Sequence, residues 1–208
     1  MESQQSSLAA SLSPIEITFI TGNKGKLEEF QQLLEGSELA THYKITNKDI
    51  SLDELQGAAE FIAHHKVKEA AKHVSTPVLI DDGSLYFNAF NGLPGPYIKC
   101  FLDRLSSEEI YSLLDAYEDK TGYAQLIYAY CETPESEPQL FIGRCEGTIV
   151  APRGEKRGWD PIFQPKGYET TFGEMKYEEK NKISHRGKAF EQLKAFLEAK
   201  ASKRVKGE

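Results

Sequence analysis

Apolar and polar positions alternate through Ile15-Glu16-Ile17-Thr18-Phe19, and Ile20 prolongs the apolar, β-branched run. That period of two predicts a strand at the start of the folded part. Leu27 to Leu34 then shows helical spacing, and Tyr43 to Asn47 reads as a short second strand. Ala58 to His73 predicts a helix on which Phe61, Ile62, His65, Ala70 and Ala71 share a side. Val78-Leu79-Ile80 is a short apolar strand that delivers Asp81 and Asp82 at its C-terminal end. The Gly/Pro-rich stretch from Asn91 to Pro96 is a shaped loop before a helix through Phe101 and Leu102, and helical spacing returns at Ile110, Leu113 and Leu114.

In the middle of the chain the period switches back to that of strands. Tyr123–Cys131 and Leu140–Val150 are two long strands, and the polar Glu132–Pro138 loop between them predicts an antiparallel hairpin. The hairpin is able to form a second lobe that faces the α/β half across a cleft. Near the end, Ala189, Phe190, Leu193, Phe196 and Leu197 make an amphipathic helix packed on the core. Ser184 is a candidate N-cap for it, which places His185 and Arg186 in the first turn.

Composition mainly excludes. At 208 residues, 39% hydrophobic and 27% charged, the chain suits one substantial domain. Thirty-two acids against twenty-five bases give a net charge of −7, which argues against nonspecific binding along nucleic acid. Cys100, Cys131 and Cys145 are far apart with no zinc spacing, as in an intracellular protein with reduced thiols. Residues 1–13 read as a disordered Ser/Gln-rich tail without a targeting signal, 14–199 as the domain, and 200–208 as a basic, frayed tail. With no transmembrane run, the expected location is the cytoplasm, with no membrane partner.

Chemistry concentrates at a few places. Thr21-Gly22-Asn23-Lys24-Gly25-Lys26 joins the first strand to the first helix. Glycines there let backbone N–H groups approach a phosphate, and the helix N-terminus and lysines favour negative charge. The spacing is neither Walker A nor G-x-G-x-x-G, and an ordinary turn with solvated lysines is the plain alternative. Asp53 and Glu54 lie in an acidic loop and offer hard oxygen ligands. Asp81 and Asp82 are neighbouring carboxylates able to hold Mg²⁺ and orient a water, one of them acting as base. Gly158-Trp159-Asp160-Pro161 presents the chain's one Trp beside a carboxylate, a combination that suits a nucleobase. Lys66 and Lys68 are by default a solvated face. His185 and Arg186 at a helix N-terminus oppose the macrodipole, which makes more sense if an anion or a base carbonyl sits there.

Taken together, Thr21-Gly22-Asn23, Lys26, Glu54, Asp81-Asp82, Gly92-Leu93-Pro94-Gly95-Pro96-Tyr97-Ile98-Lys99, Gly158-Trp159-Asp160-Pro161 and Ser184-His185-Arg186 resemble the inosine triphosphate pyrophosphatase family, in its order and over most of residues 15 to 197. The resemblance implies an α/β fold with a mixed, elongated β-sheet, flanking helices and two lobes around a central substrate cleft. It implies a homodimer that uses Mg²⁺, with Mn²⁺ as a substitute, to convert ITP, dITP and XTP to the monophosphate and pyrophosphate. Thr21, Asn23 and Lys26 would hold the triphosphate beside Lys66, Lys99 and Lys180, with Gly22, Lys24 and Gly25 in the same loop. Glu54 and Asp82 carry over as metal-site or catalytic acids. Trp159, Asp160, His185 and Arg186 carry over as the pocket for a 6-oxo purine, and Gly83, Arg157 and Gly158 as further substrate contacts. Two positions depart from the family: Gly83 stands where many relatives have Thr or Ser, and Arg157 where eukaryotic relatives commonly have Phe. A dTTP/UTP pyrophosphatase of related fold and a nucleotide-binding protein without catalysis are the rival readings.

Overall fold

The computed structural model describes residues 13–35, 37–155 and 158–206. The first 12 residues of the expected N-terminal tail, and Arg157, lie outside the described residues. In chain order the elements are β1 (Ile15–Ile20), α1 (Lys24–Leu34), α2 (Leu39–His42), β2 (Tyr43–Lys48), α3 (Ala59–Ala71), β3 (Val78–Phe87), β4 (Pro94–Gly95), α4 (Ile98–Leu102), α5 (Ser107–Ser112), β5 (Thr121–Cys131), β6 (Gln139–Ile149), β7 (Phe163–Pro165), α6 (Tyr177–Ile183) and α7 (His185–Lys206). One sheet runs β2-β1-β3-β5-β6-β7, with β4 added on β3. Its first three strands are parallel and the remaining pairings antiparallel, so the sheet is mixed.

Side-chain alternation decides which helix covers which face. Phe19, Leu79 and Tyr128 point to the face carrying α1 and α7, where Phe30, Phe190 and Leu193 complete a core. Ile20, Ile80 and Ile127 point the other way, onto Ala63, Val67 and Ala70 of α3. A third core surrounds Leu85, Phe87, Ile110, Phe163 and Phe172 at the far end of the long strands. The β5–β6 hairpin is present, but it does not make the second lobe alone. β5 pairs with β3 along the whole of β3, so both lobes share these strands.

Two local features position the site. β1 pairs with β3 only as far as Ile20↔Ile80, and β4 joins β3 only at Leu85 and Tyr86. Among the described residues, the β3 edge over residues 81–84 therefore has no strand on that side, which leaves room for ligand-facing groups at the end of β1. At the other side of the sheet, α7 touches β6 backbone to backbone. A Cβ on Gly143 would stand 2.0 Å from the His185 carbonyl oxygen and 2.4 Å from the Ala189 nitrogen. Only glycine permits that approach, and it fixes the first turn of α7 against the sheet. The basic segment from Lys200, expected to fray, continues α7 to Lys206, with Lys200 paired to Glu132 at 2.5 Å.

Candidate active site

The loop after β1 folds as its sequence suggests. Asn23 is the N-cap of α1: its side chain accepts from the Lys26 N–H at 3.2 Å, while the Thr21 hydroxyl accepts from the Asn23 N–H at 3.1 Å. Lys24, Gly25 and Lys26 thus form the first turn of the helix, and Gly22 to Gly25 are exposed. Backbone donors and a helix N-terminus face solvent beside the open edge of β3.

β3 corrects one expectation. The strand does not end at Ile80 but continues through Asp81, Asp82, Gly83 and Ser84 to Phe87. Adjacent residues in an extended strand point to opposite faces, so the two carboxylates take their nearest cations from different helices. Asp81 turns toward α1 and α7, where Arg186 Nη1 donates to its Oδ2 at 2.6 Å and Lys26 Nζ lies 3.1 Å from its Oδ1. Burial alone would raise the Asp81 pKa, but Lys26 and Arg186 outweigh it and hold the carboxyl below the usual aspartate value. Asp82 turns toward α3, with Lys66 Nζ 3.3 Å from its Oδ2. There burial wins over Lys66 and Lys26, and the Asp82 pKa is raised. Burial and neighbouring charges thus push the pKa values of the two adjacent carboxyls apart, one below and one above the usual aspartate value.

Glu54 completes the cluster around Asp82. Its two oxygens accept from Lys66 Nζ and Lys99 Nζ, each at 2.6 Å. Burial opposes its charge, but the hydrogen bonds from Lys66 and Lys99 outweigh it and lower its pKa. Lys66 is likewise opposed by burial, yet Asp82 and Glu54 hold its pKa above the ordinary lysine value. Glu54 is its nearer partner, at 2.6 Å against 3.3 Å for Asp82, and burial keeps the Asp82 pKa raised despite the pair. Lys66, a solvated residue by default and a triphosphate contact by the family resemblance, is only 15% exposed at its side chain. Three residues after Glu54, the Gly57 N–H donates to the Tyr97 hydroxyl at 3.0 Å, which ties this loop to the stretch before α4. Gly83 lies in plain extended strand, where an added Cβ would meet only Leu126 at 3.7 Å. Ser84, two residues from Asp82 on the same face, is buried.

The aromatic end of the site is built by α6, α7 and the Gly158–Pro161 turn. The Ser107 hydroxyl donates to the Gly158 carbonyl at 2.9 Å and steadies the turn. The Trp159 ring centroid lies 5.2 Å from that of His185. Ser184 caps α7 through its hydroxyl, which accepts from the Gly187 N–H at 3.1 Å. His185 is buried, its Nδ1 has no partner among the described residues, and burial followed by the charges of Arg186, Lys180 and Lys188 puts its pKa well below the histidine value. The expected cation is therefore a neutral imidazole. The expected anion opposite Arg186 is supplied by the protein itself, because Arg186 Nε meets Glu29 Oε2 at 2.5 Å and Nη1 meets Asp81. Lys180, anticipated at the phosphates, is buried here instead, at 2.8 Å from Glu29 and 2.6 Å from Asp160.

Glu29 is the residue that sequence reading missed. It looks like a solvated glutamate, yet it shares the α1 face of Lys26, Phe30 and Leu33 at helical spacing. A carboxylate on the apolar face three residues from a lysine was the available signal.

The low pKa of His185 gives a testable sign. Unfolded histidine takes a proton as pH falls through about 6.5, whereas the folded group does not. Stability from this group is therefore complete above about pH 6.5 and is lost as pH falls toward the folded value, by up to about 1.4 kcal/mol per pH unit. Calorimetric melting between pH 5 and 7 should show this fall in the native chain and a flatter profile in His185→Asn. Identical profiles would show that folded His185 is protonated in that range.

A mixed α/β sheet that sets lysines against carboxylates beside a helix N-terminus, with the Trp159 and His185 rings alongside, defines an α/β protein with a charged candidate site. The chain belongs to the Ham1 family, whose model matches residues 17–196. It is 47% identical over 188 residues to the inosine triphosphate pyrophosphatase of Yarrowia lipolytica, covering 90% of this chain and 98% of that one. Among solved structures it resembles the Ham1 protein of Staphylococcus aureus (TM-score 0.75, 28% identity, 89% of this chain and 99% of that one). The HAM1 protein of Coxiella burnetii is as similar (TM-score 0.76, 29% identity, 89% and 99%). A nucleoside-triphosphatase, or dITP/XTP pyrophosphatase, of Mycobacterium abscessus follows at TM-score 0.67 and 28% identity over 86% of this chain and 97% of that one.

Proposed function

We propose that this protein hydrolyses ITP, dITP and XTP to the nucleoside monophosphate and pyrophosphate, clearing deaminated purines from the nucleotide pool. The observation that carries the reading is the split acid pair: Asp82, with its raised pKa, faces Lys66 and Glu54, while Asp81 is bound within the interior. A water oxygen bonds to the α-phosphorus, Asp82 takes its proton, and the bond from that phosphorus to the bridging oxygen breaks. Lys26, Lys66 and Lys99 meet the charge of the departing pyrophosphate, phosphate oxygens taking the place of Glu54 on the last two. Trp159 offers a stacking face, and a neutral His185 that carries its proton on the nitrogen facing the base donates to a 6-oxo acceptor and cannot pair with an amino donor.

The acids fit a hard divalent ion. Among the described residues no three His, Cys, Asp or Glu side chains cluster as a complete cage. Mg²⁺ is commonly held by one or two carboxylates together with substrate phosphates, and Glu54 and Asp82 would hold it here, with Mn²⁺ as a substitute. When bound, it would supply Lewis-acid stabilisation of phosphoryl charge. The same reading includes a cytoplasmic homodimer without nucleic-acid or membrane partners, its size open to sedimentation. Among the described residues no helix is long and apolar enough to cross a membrane.

The test is pyrophosphate and orthophosphate release from ITP, dITP, XTP, dTTP, GTP and ATP, with Mg²⁺ and again after chelation. Pyrophosphate from the first three, abolished by chelator, is the expected result. Release mainly from dTTP would move the protein to another pyrophosphatase class. Tight ITP binding without turnover would make it a binding protein.

A further inference from the structure

Six charged side chains form an unbroken file between the two ends of the site. Lys26 Nζ lies 3.1 Å from Asp81 Oδ1, and Asp81 Oδ2 accepts from Arg186 Nη1 at 2.6 Å. Arg186 Nε meets Glu29 Oε2 at 2.5 Å, Glu29 Oε1 accepts from Lys180 Nζ at 2.8 Å, and Lys180 Nζ donates to Asp160 Oδ2 at 2.6 Å. The signs alternate throughout. The inner four side chains are 1–12% exposed, and the ends, Lys26 at 28% and Asp160 at 15%, are the most open. One end belongs to the loop at the N-terminus of α1, the other to the turn that carries Trp159.

We propose that this file couples recognition of the base to alignment of the phosphates, with Asp81 as the positioning residue that joins the two. The proposal rests on the reading that the cleft takes a nucleoside triphosphate. A buried charge is tolerated only while its partners compensate it, so a change at one end of the file alters what the next member requires. Asp81 is the most sensitive link. Its Oδ1 is buried and has no aligned hydrogen bond, although Lys26 is near. When phosphate draws Lys26 away, Asp81 depends on Arg186 alone. Arg186 is oriented by Glu29, and Glu29 by Lys180, whose other partner is Asp160 at the base pocket. A base that settles Asp160 and Lys180 therefore settles the arginine on which Asp81 relies. Coupling of this kind is reciprocal.

The test separates the two halves of the substrate. Calorimetric titration of the wild-type protein with inorganic pyrophosphate in Mg²⁺ buffer, with and without saturating inosine, should show severalfold tighter pyrophosphate binding when inosine is present. The reverse titration should give the same factor. Asp81→Asn, which keeps shape and removes charge, should still bind each ligand alone but lose the factor, and it should lower the ITP-to-GTP ratio of kcat/KM. Asp81→Glu should restore part of both. A purely structural role would lower stability and leave the coupling factor untouched. No effect of inosine on wild-type pyrophosphate binding overturns the proposal, even if Asp81→Asn does not fold. Full coupling in Asp81→Asn overturns it as well. ITP turnover without coupling removes the file and keeps the catalytic reading, whereas coupling without any NTP turnover does the reverse.

Discussion

Asp82→Asn is expected to lower kcat for ITP hydrolysis by about 10²–10⁴-fold while KM changes far less, the range typical for loss of a positioned general base. Asparagine keeps the side chain's size and its reach toward Lys66 but cannot take a proton from water. The variant should also remain as stable as the parent, or become more so. A carboxyl whose folded pKa is raised adds stability below its unfolded pKa and loses it as pH rises through the folded value. At neutral pH its charge is thus a net cost to the fold, which burial imposes. Steady-state kinetics with a melting curve checks both halves. Near-normal kcat would remove Asp82 from the proton-transfer role, and a collapsed melting temperature would make it structural. The acid limb of kcat/KM in the parent enzyme should lie above the usual aspartate value of about 4, since that limb reports the free enzyme's base.

Arg186→Met is expected to give the largest stability loss, about 3–5 kcal/mol, because it removes one partner of buried ion pairs and leaves their acids under-compensated. Glu29 and Asp81 would each keep one cation, Lys180 and Lys26 respectively, so three carboxylates would face two ammonium groups. For a domain of this size that corresponds to a melting temperature lower by roughly 6–20 °C. Urea unfolding at neutral pH measures it directly, and a slope close to the parent's would show that the comparison is of like transitions. The apolar stem of methionine keeps much of the volume, so the loss reports charge rather than a void. A midpoint within error of the parent would mean that the acids recover their hydration without unfolding.

Much of the fold around this site was legible from the residues, and the failures come from contacts between residues far apart in sequence. The strand and helix around Thr21–Lys26 and the long hairpin followed from period, and the structure builds both. Asp81 and Asp82 were read as partners because the apolar run appeared to stop at Ile80. Strand extension through Gly83 is set by pairing with β5, a contact between residues about 45 apart in sequence that no local pattern encodes. Once the strand continues, the period of two separates the acids. Lys180 sat within a run of charges that would ordinarily be solvated, and only the fold brings Glu29 to it. Composition gives no warning of a buried lysine whose partner lies 151 positions away.

The closeness of β6 and α7 at Gly143 has a consequence for how the protein forms. α7 follows every strand, yet it supplies Phe190, Leu193 and Leu197 to the core over β1 and β5, and Arg186 to Asp81, 105 residues earlier. Contacts of such long sequence separation close late and slow folding. A chain emerging during synthesis therefore holds β3 with the Asp81 side of its sheet still open and no cation from α7 to meet that carboxylate, and this apolar face stays open until the last segment docks. Completion of the active site and completion of the fold are then the same event, so a chain ending before residue 185 would lack a stable domain as well as a catalyst, and would be a substrate for proteolysis and aggregation.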